Sequence, residues 1–333
     1  MAGAVIIRAS APVRLDFAGA WTDVAPYPAE AGGVVVNAAI GLRAEVTLEP
    51  GGTGHRLESR DLGEVLTIDR PDQLAPNGRL DLLKAAVRRF ELPPCRLITR
   101  SEAPPGSGLG SSGALDVALV AAALAVGGSR ATHPEEIAER AWELEAVEAG
   151  LPCGKQDQFA AALGGFHRFD FGEAVAIRPL RIDPVFADWL ERHIVVCYTG
   201  QSRVSSDAVR RVVARYRGRD PVVVGALKGL RETAEAMAEA LEAGDPAAVG
   251  RLLSANWLGQ CALDAAMRTD AMARLEQAMG LAGSLGGKAA GAGVGGTMFF
   301  LMERDPVAAA GVAREHGATV LPLRWSAEGV RVW

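Results

Sequence analysis

Aromatic residues are scarce in this 333-residue chain, 5% of the total, and cysteine occurs four times. Cys95, Cys153, Cys197 and Cys261 stand far apart, with no C-x-x-C pair and no His pair beside them. That spacing argues against a zinc module or a disulfide framework and fits a reducing compartment, so a cytoplasmic protein is expected. Blocks of Lys and Arg are also missing, and the net charge is −5. Nothing therefore stands ready to neutralise a phosphate backbone, and no nucleic-acid partner is expected. The longest apolar run, Val117 to Val126, is about half a membrane span. The opening MAGAVIIRASAPVR is too short, and meets Arg too early, for a signal peptide. No membrane partner is expected either.

What is present is an apolar share of 49% with 23% charged residues, the mix of an ordinary globular protein. The length exceeds the roughly 250 to 300 residues at which a single core stops growing. Two lobes with a cleft between them are expected, divided around Asp183 to Leu190 into residues 1–185 and 186–333. Short β-branched runs (AVIIRAS, VVVNAAI, RAEVTLE, EVLTID, CRLITRS) read as strands in the first third, interrupted by a helical spacing from Leu80 to Phe90. Helices follow at Leu115–Val126, Pro134–Ala149 and Gln156–Leu163, then the strands GFHRFDF, AVAIRPL and RHIVVCYTG. Ser205 to Met279 is mostly helical, with breaks near Gly218, Gly244 and Asp264. The strand TMFFLM, a helix from Pro306 to His316 and the strands ATVLPLRW and VRVW close an α+β pattern.

The stretch EAPPGSGLGSSGALDVALV, residues 102–120, concentrates glycine just before a helix. Glycine lets a backbone turn sharply and approach a ligand, and a helix that starts there points free N–H groups and a positive dipole end at an anion. The segment reads as a phosphate site, with a plain strand-to-helix turn as the alternative. It is not a Walker A loop, because Gly110 is followed by Ser111 and Ser112 without a lysine. Gly108-Leu-Gly110-Ser-Ser-Gly113 spells a dinucleotide fingerprint, but the acidic residue due at the end of the next strand is absent; Glu135 and Glu136 start a helix instead. A hydroxyl in the first helical turn can reach a metal ion that bridges nucleotide phosphates, or it can cap the helix.

The run P-P-G-S-G-L-G-S-S-G, Pro104 to Gly113, resembles the nucleotide-phosphate loop of the GHMP kinases, a superfamily that includes galactokinase, homoserine kinase, mevalonate kinase and phosphomevalonate kinase. Two further segments strengthen the resemblance. APVRLDFAGAWTDVAPYPAEAGGVVVNAAI, residues 11–40, is similar to the first motif of the sugar-kinase branch, and ELEAVEAGLPCGKQDQFAAALGG, residues 143–165, to its segment with the catalytic aspartate. GGKAAGAGVGGTMFFL, residues 286–301, resembles the third motif, with Val294 where many relatives have glycine. The resemblance implies a two-lobed α+β fold, with an N-terminal lobe like ribosomal protein S5 domain 2 and a ferredoxin-like C-terminal lobe.

It also implies roles. Pro105, Gly106, Ser107, Gly108, Leu109, Gly110, Ser111 and Ser112 would bind ATP. Ser112 and Glu145 would hold Mg²⁺. Asp157 would take the proton of the attacking hydroxyl, with Arg14 and Lys155 supplying positive charge. Thr22, Asp23, Gly154, Gly291, Ala292 and Gly293 would line the sugar site. Each residue also has a local reading: Asp23 as a loop cap, Asp157 as a first-turn charge, and the late glycines as a hairpin.

CYTGQSRVSSDAV, residues 197–209, resembles a segment of D-glycero-D-manno-heptose 7-phosphate 1-kinases. That implies a sugar phosphate as acceptor, with Thr199, Ser202 and Arg203 at its end; Arg203 reads equally as a surface charge. Gly19-Ala-Trp21-Thr-Asp23 is instead close to the fucokinase version, which keeps L-fucose or another unphosphorylated sugar as the alternative. Non-catalytic sugar or nucleotide sensors and diphosphomevalonate decarboxylases belong to the same superfamily. The retained Arg14, Ser112, Glu145 and Asp157 speak against a sensor, and the sugar-branch second motif against a decarboxylase. The resemblance allows a monomer or a homodimer.

Overall fold

The computed structural model describes residues 5–128, 133–200, 205–293 and 295–333, a set that leaves out Ser202, Arg203 and Val294. Two sheets organise it. The first joins β1 (Ile7–Ala18), β2 (Gly33–Pro50), β3 (His55–Ser59), β4 (Glu64–Ile68), β5 (Cys95–Ser101), β6 (Phe166–Phe171), β7 (Val175–Pro179) and the late β12 (Arg331–Val332), in the path β12-β1-β2-β5-β3-β4 with β6 and β7 added on β2. The second is β8 (Ile194–Tyr198), β9 (Ser284–Ala289), β10 (Thr297–Met302) and β11 (Thr319–Leu321), in the order β11-β8-β10-β9.

VVVNAAI and RAEVTLE are one long strand, because Gly41 and Leu42 continue the extended backbone between them as β2. Its first half pairs with β6 and its second half with β5, while β1 runs along the other side. β1 is broken by irregularities at Pro12/Val13 and Asp16/Ala18, which re-aim the side chains of the segment that carries Arg14 and Asp16. Against the first sheet pack α3 (Ser111–Val126) and α5 (Gln156–Leu163). The all-round apolar α3, with Val117, Ala118, Val120 and Ala122 fully buried, suits a helix enclosed on every side.

The helix expected over Pro134–Ala149 ends early. α4 (Pro134–Glu143) gives way to a π-helical turn over Leu144–Glu148, a distortion that propensity does not announce. A further helix, α6 (Pro184–His193), occupies the expected junction, opened by Asp183, whose carboxylate accepts from the N–H groups of Val185 and Phe186.

The chain order β8, helices, β9, β10, helix, β11 with antiparallel pairing throughout is the split βαββαβ arrangement of a ferredoxin-like unit. Within it α8 (Pro221–Ala243) and α9 (Pro246–Leu263) pack on each other and reach across to β1. One apolar core therefore runs from Leu15 and Phe17 of β1 to Met237, Leu253 and Phe299. After β11 the chain returns to the first sheet: Gly41 N–H donates to Arg324 O, Ser326 N–H to Ala39 O and Val330 N–H to Ala162 O, before β12 pairs with β1. No helix among the described residues is long and apolar enough to cross a membrane.

Candidate active site

Where β1, the glycine-rich loop, the start of α5 and the loop after β9 meet, they surround a cleft of about 460 Å³. The loop enters α3 through Gly106, Gly108 and Gly110, whose φ values of 65°, 76° and 79° are ones that glycine tolerates. Gly110 is the cap residue and no side chain caps the helix, so neither Ser111 nor Ser112 takes the capping role. The Ser107 and Ser111 hydroxyls are buried and have no partner among the described residues. Ser112 Oγ donates to Glu145 Oε1 at 2.5 Å. Free N–H groups and unpaired hydroxyls at a helix start suit a phosphate chain.

Asp157 stands directly against this loop. A methyl on Gly110 would lie 3.2 Å from its carboxyl, and one on Gly113 would lie 2.6 Å from its Cβ. The Asp157 carboxylate accepts from Arg14 Nε at 2.9 Å and pairs with Arg14 Nη2 at 2.7 Å. Arg14 also donates through Nη1 to Gly108 O at 2.5 Å, so one guanidinium ties the carboxylate to the loop backbone. The Arg14 side chain is 4% exposed and that of Asp157 26%. Burial raises the Asp157 pKa while Arg14 opposes the rise. Burial likewise works against the Arg14 charge, but Asp157 and Asp16 more than offset it and hold the guanidinium above its usual range.

Asp23 lies across the cleft, 5% exposed, accepting from Gln156 N–H at 3.1 Å and Gln156 Nε2 at 3.2 Å. It thus touches the start of α5. Burial first, then the neighbouring Asp157, raises its pKa to about 6 against the Gln156 hydrogen bond. Any side chain at position 154 would collide with the Asp23 carboxyl, so Gly154 is where the α5 entry must pass close to it.

Glu145 sits in the π turn and is held by Ser112 and by Gln158 Nε2 at 2.6 Å. Beside it is Asp116, 0% exposed, whose oxygens find no donor within hydrogen-bond geometry among the described residues, its pKa raised well above the carboxylate range by burial and by Glu145. The Glu145 pKa is raised by burial too. A buried acidic pair beside a hydroxyl and a phosphate-type loop fits a divalent cation shared with the ligand. Among the described residues no cluster of three or more side chains could hold a metal alone, and Mg²⁺ characteristically takes only one or two protein ligands beside phosphates.

Several expected site residues face elsewhere. Lys155 Nζ pairs with Glu139 at 2.6 Å and lies 4.5 Å from the centre of the Trp142 ring, a local stop that turns its charge away from the cleft. Thr22 Oγ1 donates to Gly19 O and Val34 O and accepts from Val34 N–H, so it staples the turn. Leu109 is fully buried, and only its backbone serves the site, through Arg14 N–H to Leu109 O at 2.9 Å. Thr199 Oγ1 is bound to Gly296 O at 2.9 Å, and Pro105 does not line the cleft. Gly291 and Ala292 line it, whereas Gly293 packs on Met267.

Gln156 and Gln158 lie inside the segment 143–165 with no signal of their own in the sequence, and the buried ion pair of Asp16 and Lys288 spans 272 positions. Trp21 does line the cleft, at φ 85°, a rare conformation for a bulky residue.

The sequence matches the family models described as GHMP kinases N terminal domain, over residues 80–165, and GHMP kinases C terminal, over residues 237–319. It is 30% identical to the D-glycero-alpha-D-manno-heptose 7-phosphate kinase of Campylobacter jejuni, across 98% of both chains. The chain belongs to the GHMP kinase family. As a member it is an ATP-dependent phosphotransferase. A bifunctional fucokinase/GDP-fucose pyrophosphorylase of Arabidopsis thaliana is 30% identical over 74% of this chain and 25% of its own. Among solved structures, a D-glycero-D-manno-heptose 1-phosphate kinase from Bacteriodes thetaiotaomicron superposes with a TM-score of 0.79 at 27% identity, covering 98% of each chain. The GHMP kinase fold is equally clear beside Lactococcus lactis galactokinase complexed with galactose, at TM-score 0.75, 19% identity and 98% and 95% coverage.

Proposed function

We propose that this GHMP kinase transfers the γ-phosphoryl group of ATP to the anomeric C1 hydroxyl of D-glycero-D-manno-heptose 7-phosphate. The observation that carries the reading is Asp157 packed on the glycine-rich loop and bridged to it by Arg14. A carboxylate there stands between the place for a nucleotide's last phosphate and the Asp23 side of the cleft, where a sugar's hydroxyls would bind.

Phosphoryl transfer asks the protein mainly to align donor and acceptor and to balance charge. The N–H groups of Gly108 to Ser112, with the Ser107 and Ser111 hydroxyls, hold the phosphates. Ser112 and Glu145 would hold Mg²⁺, which would supply positive charge against that of the phosphates. Arg14 favours the ionised form of Asp157 against the effect of burial, and in that form Asp157 accepts the proton of the C1 hydroxyl as that oxygen attacks phosphorus. Asp23 accepts hydrogen bonds from adjacent sugar hydroxyls.

The heptose 7-phosphate rests on the full-length similarity to the Campylobacter enzyme and on the position of α7 (Ser205–Arg217), whose Val209 lines the cleft. Ser202 and Arg203, the residues expected at the distal phosphate, lie outside the described residues. Within the reading, residues 1–185 supply the phosphate loop and the base, and 186–333 the wall toward the distal phosphate; a monomer suffices. The protein works in the cytoplasm.

The test is ADP release with purified protein, MgATP and a panel of sugars and sugar phosphates, with ³¹P NMR to locate the new ester. The expected product carries a second phosphate at C1 of the heptose. Turnover with L-fucose alone would replace the acceptor assignment, and silence with every acceptor would point to a sensor.

A further inference from the structure

Behind the cleft lies an ion pair that no solvent reaches. Lys288 of β9 and Asp16 of β1 have side chains 0% exposed, with Lys288 Nζ 2.5 Å from Asp16 Oδ2 and 2.8 Å from Asp16 O. Asp16 Oδ1 accepts from Gly291 N–H at 2.8 Å and lies 3.9 Å from Arg14 Nη1. The opposite strand puts Phe299 beside Lys288, with the ammonium 5.4 Å from the ring centre. Lys288 does not line the cleft, so it touches neither nucleotide nor acceptor.

The charges explain why a cation is buried there. Arg14 is flanked by two carboxylates, Asp157 in direct contact and Asp16 one step further away. Both cannot be served by one guanidinium in the observed pose. Lys288 saturates Asp16, and Arg14 is left to hold Asp157 and Gly108 O. We infer that Lys288 is a positioning residue for phosphoryl transfer: by neutralising Asp16 it keeps the Arg14 guanidinium on the catalytic carboxylate and the phosphate loop.

Remove the ammonium, and Asp16 keeps a buried charge with one oxygen unpaired. The nearest cation is Arg14, which reaches hydrogen-bond distance by moving about 1 Å toward Asp16. That move draws it off Asp157 and Gly108.

The inference rests on the kinase reading, and its test separates the two. Lys288→Met is expected to lower kcat by about 100-fold while the KM values for ATP and the sugar stay within about threefold. Asp16→Asn breaks the same pair, yet its amide oxygen still accepts from Gly291 and carries no charge to attract Arg14. Its kcat per folded molecule is expected to stay within about tenfold of wild type, and Lys288→Met added to Asp16→Asn is expected to cost little more. A purely structural pair predicts the reverse pattern, with both single variants equally affected or only their stability lowered, and that result overturns the inference. So does an inactive Asp16→Asn/Lys288→Met protein that folds. That double variant also decides the matter if Lys288→Met alone fails to fold, since replacing both partners of a buried pair is far milder than orphaning one. If wild type turns over no acceptor, the kinase reading fails by itself. A crystal structure of Lys288→Met, or of the double variant if the single one does not fold, then tests the inference without substrate. Arg14 within hydrogen-bond distance of Asp16 in the single variant, or unmoved on Asp157 in the double, supports it, and the opposite placement overturns it.

Discussion

Two carboxylates that meet at the start of α5, Asp157 and Asp23, have pKa values raised by burial for different tasks, and they make separable predictions. Asp157→Ala leaves the loop N–H groups untouched. Turnover is expected to fall at least about 1,000-fold with the affinity for a non-hydrolysable ATP analogue within about threefold, read by calorimetry beside the ADP assay. Asp23 accepts two hydroxyls strongly only as the carboxylate, and its pKa of about 6 places that ionisation near neutrality. The rate at low sugar concentration should therefore climb as pH rises through about 6, and Asp23→Asn should lose that limb along with most of the rate. A limb unchanged in Asp23→Asn would assign it to another group. The positions of Arg14, Asp23, Glu145 and Asp157 in the cleft were legible because motif spacing carries them. The orientation of Lys155 was not, since it depends on Glu139 and Trp142 of the preceding helix being within reach. Lys288 was hidden inside a glycine-rich segment, its partner near the other end of the chain.

Helix entries and breaks, rather than helices, shape the cleft. At the start of α3 Gly110 combines φ 79° with contact to Asp157 and Arg14, so Gly110→Ala adds both backbone strain and a methyl pressed on the base. We expect about 1 kcal/mol of lost stability and a fall in kcat of at least about tenfold, measured by denaturant unfolding and steady-state kinetics. One turn on, Asp116 faces the π turn that carries Glu145. In the folded chain its carboxyl keeps its proton to a pH at which the unfolded chain has lost it, so its contribution to stability falls as pH rises above the ordinary carboxylate range. Half-buried His55 and buried His167, with lowered pKa values, act in the opposite sense, so the test is a difference. The melting temperature of Asp116→Asn minus that of wild type should grow from pH 5 to pH 8, and a constant difference would show Asp116 to be silent there. Strong periodicity made α2 (Asp81–Arg89), α5 and α11 (Pro306–Glu315) readable from sequence almost to the residue. The π turn was not, because its extra residue per turn is set by what Glu145 must meet.

Across the molecule, the α+β pattern and the order of the motifs were readable, but the return of residues 324–333 to the first sheet was not. Those residues carry little local signal, and their place is fixed by partners such as Ala39, Ala162 and Ala9. Trp325 anchors the return: its ring centre lies 4.7 Å from that of Phe166 and 6.1 Å from that of Phe17, and its indole N–H donates to Ala187 O at 2.9 Å. Trp325→Ala is expected to cost about 2 kcal/mol, less than a fully buried tryptophan because the ring is half-exposed, with kcat nearly unchanged since it does not touch the cleft. A drop in kcat without lost stability would contradict that division. The same return has a bearing on biosynthesis. The strand carrying Arg14 and Asp16 leaves the ribosome more than 300 positions ahead of β12, so over that interval its edge at Ala9 and Ser10 is open to any other extended chain. Chaperone dependence and aggregation of prematurely terminated products follow from where one short strand, β12, happens to lie.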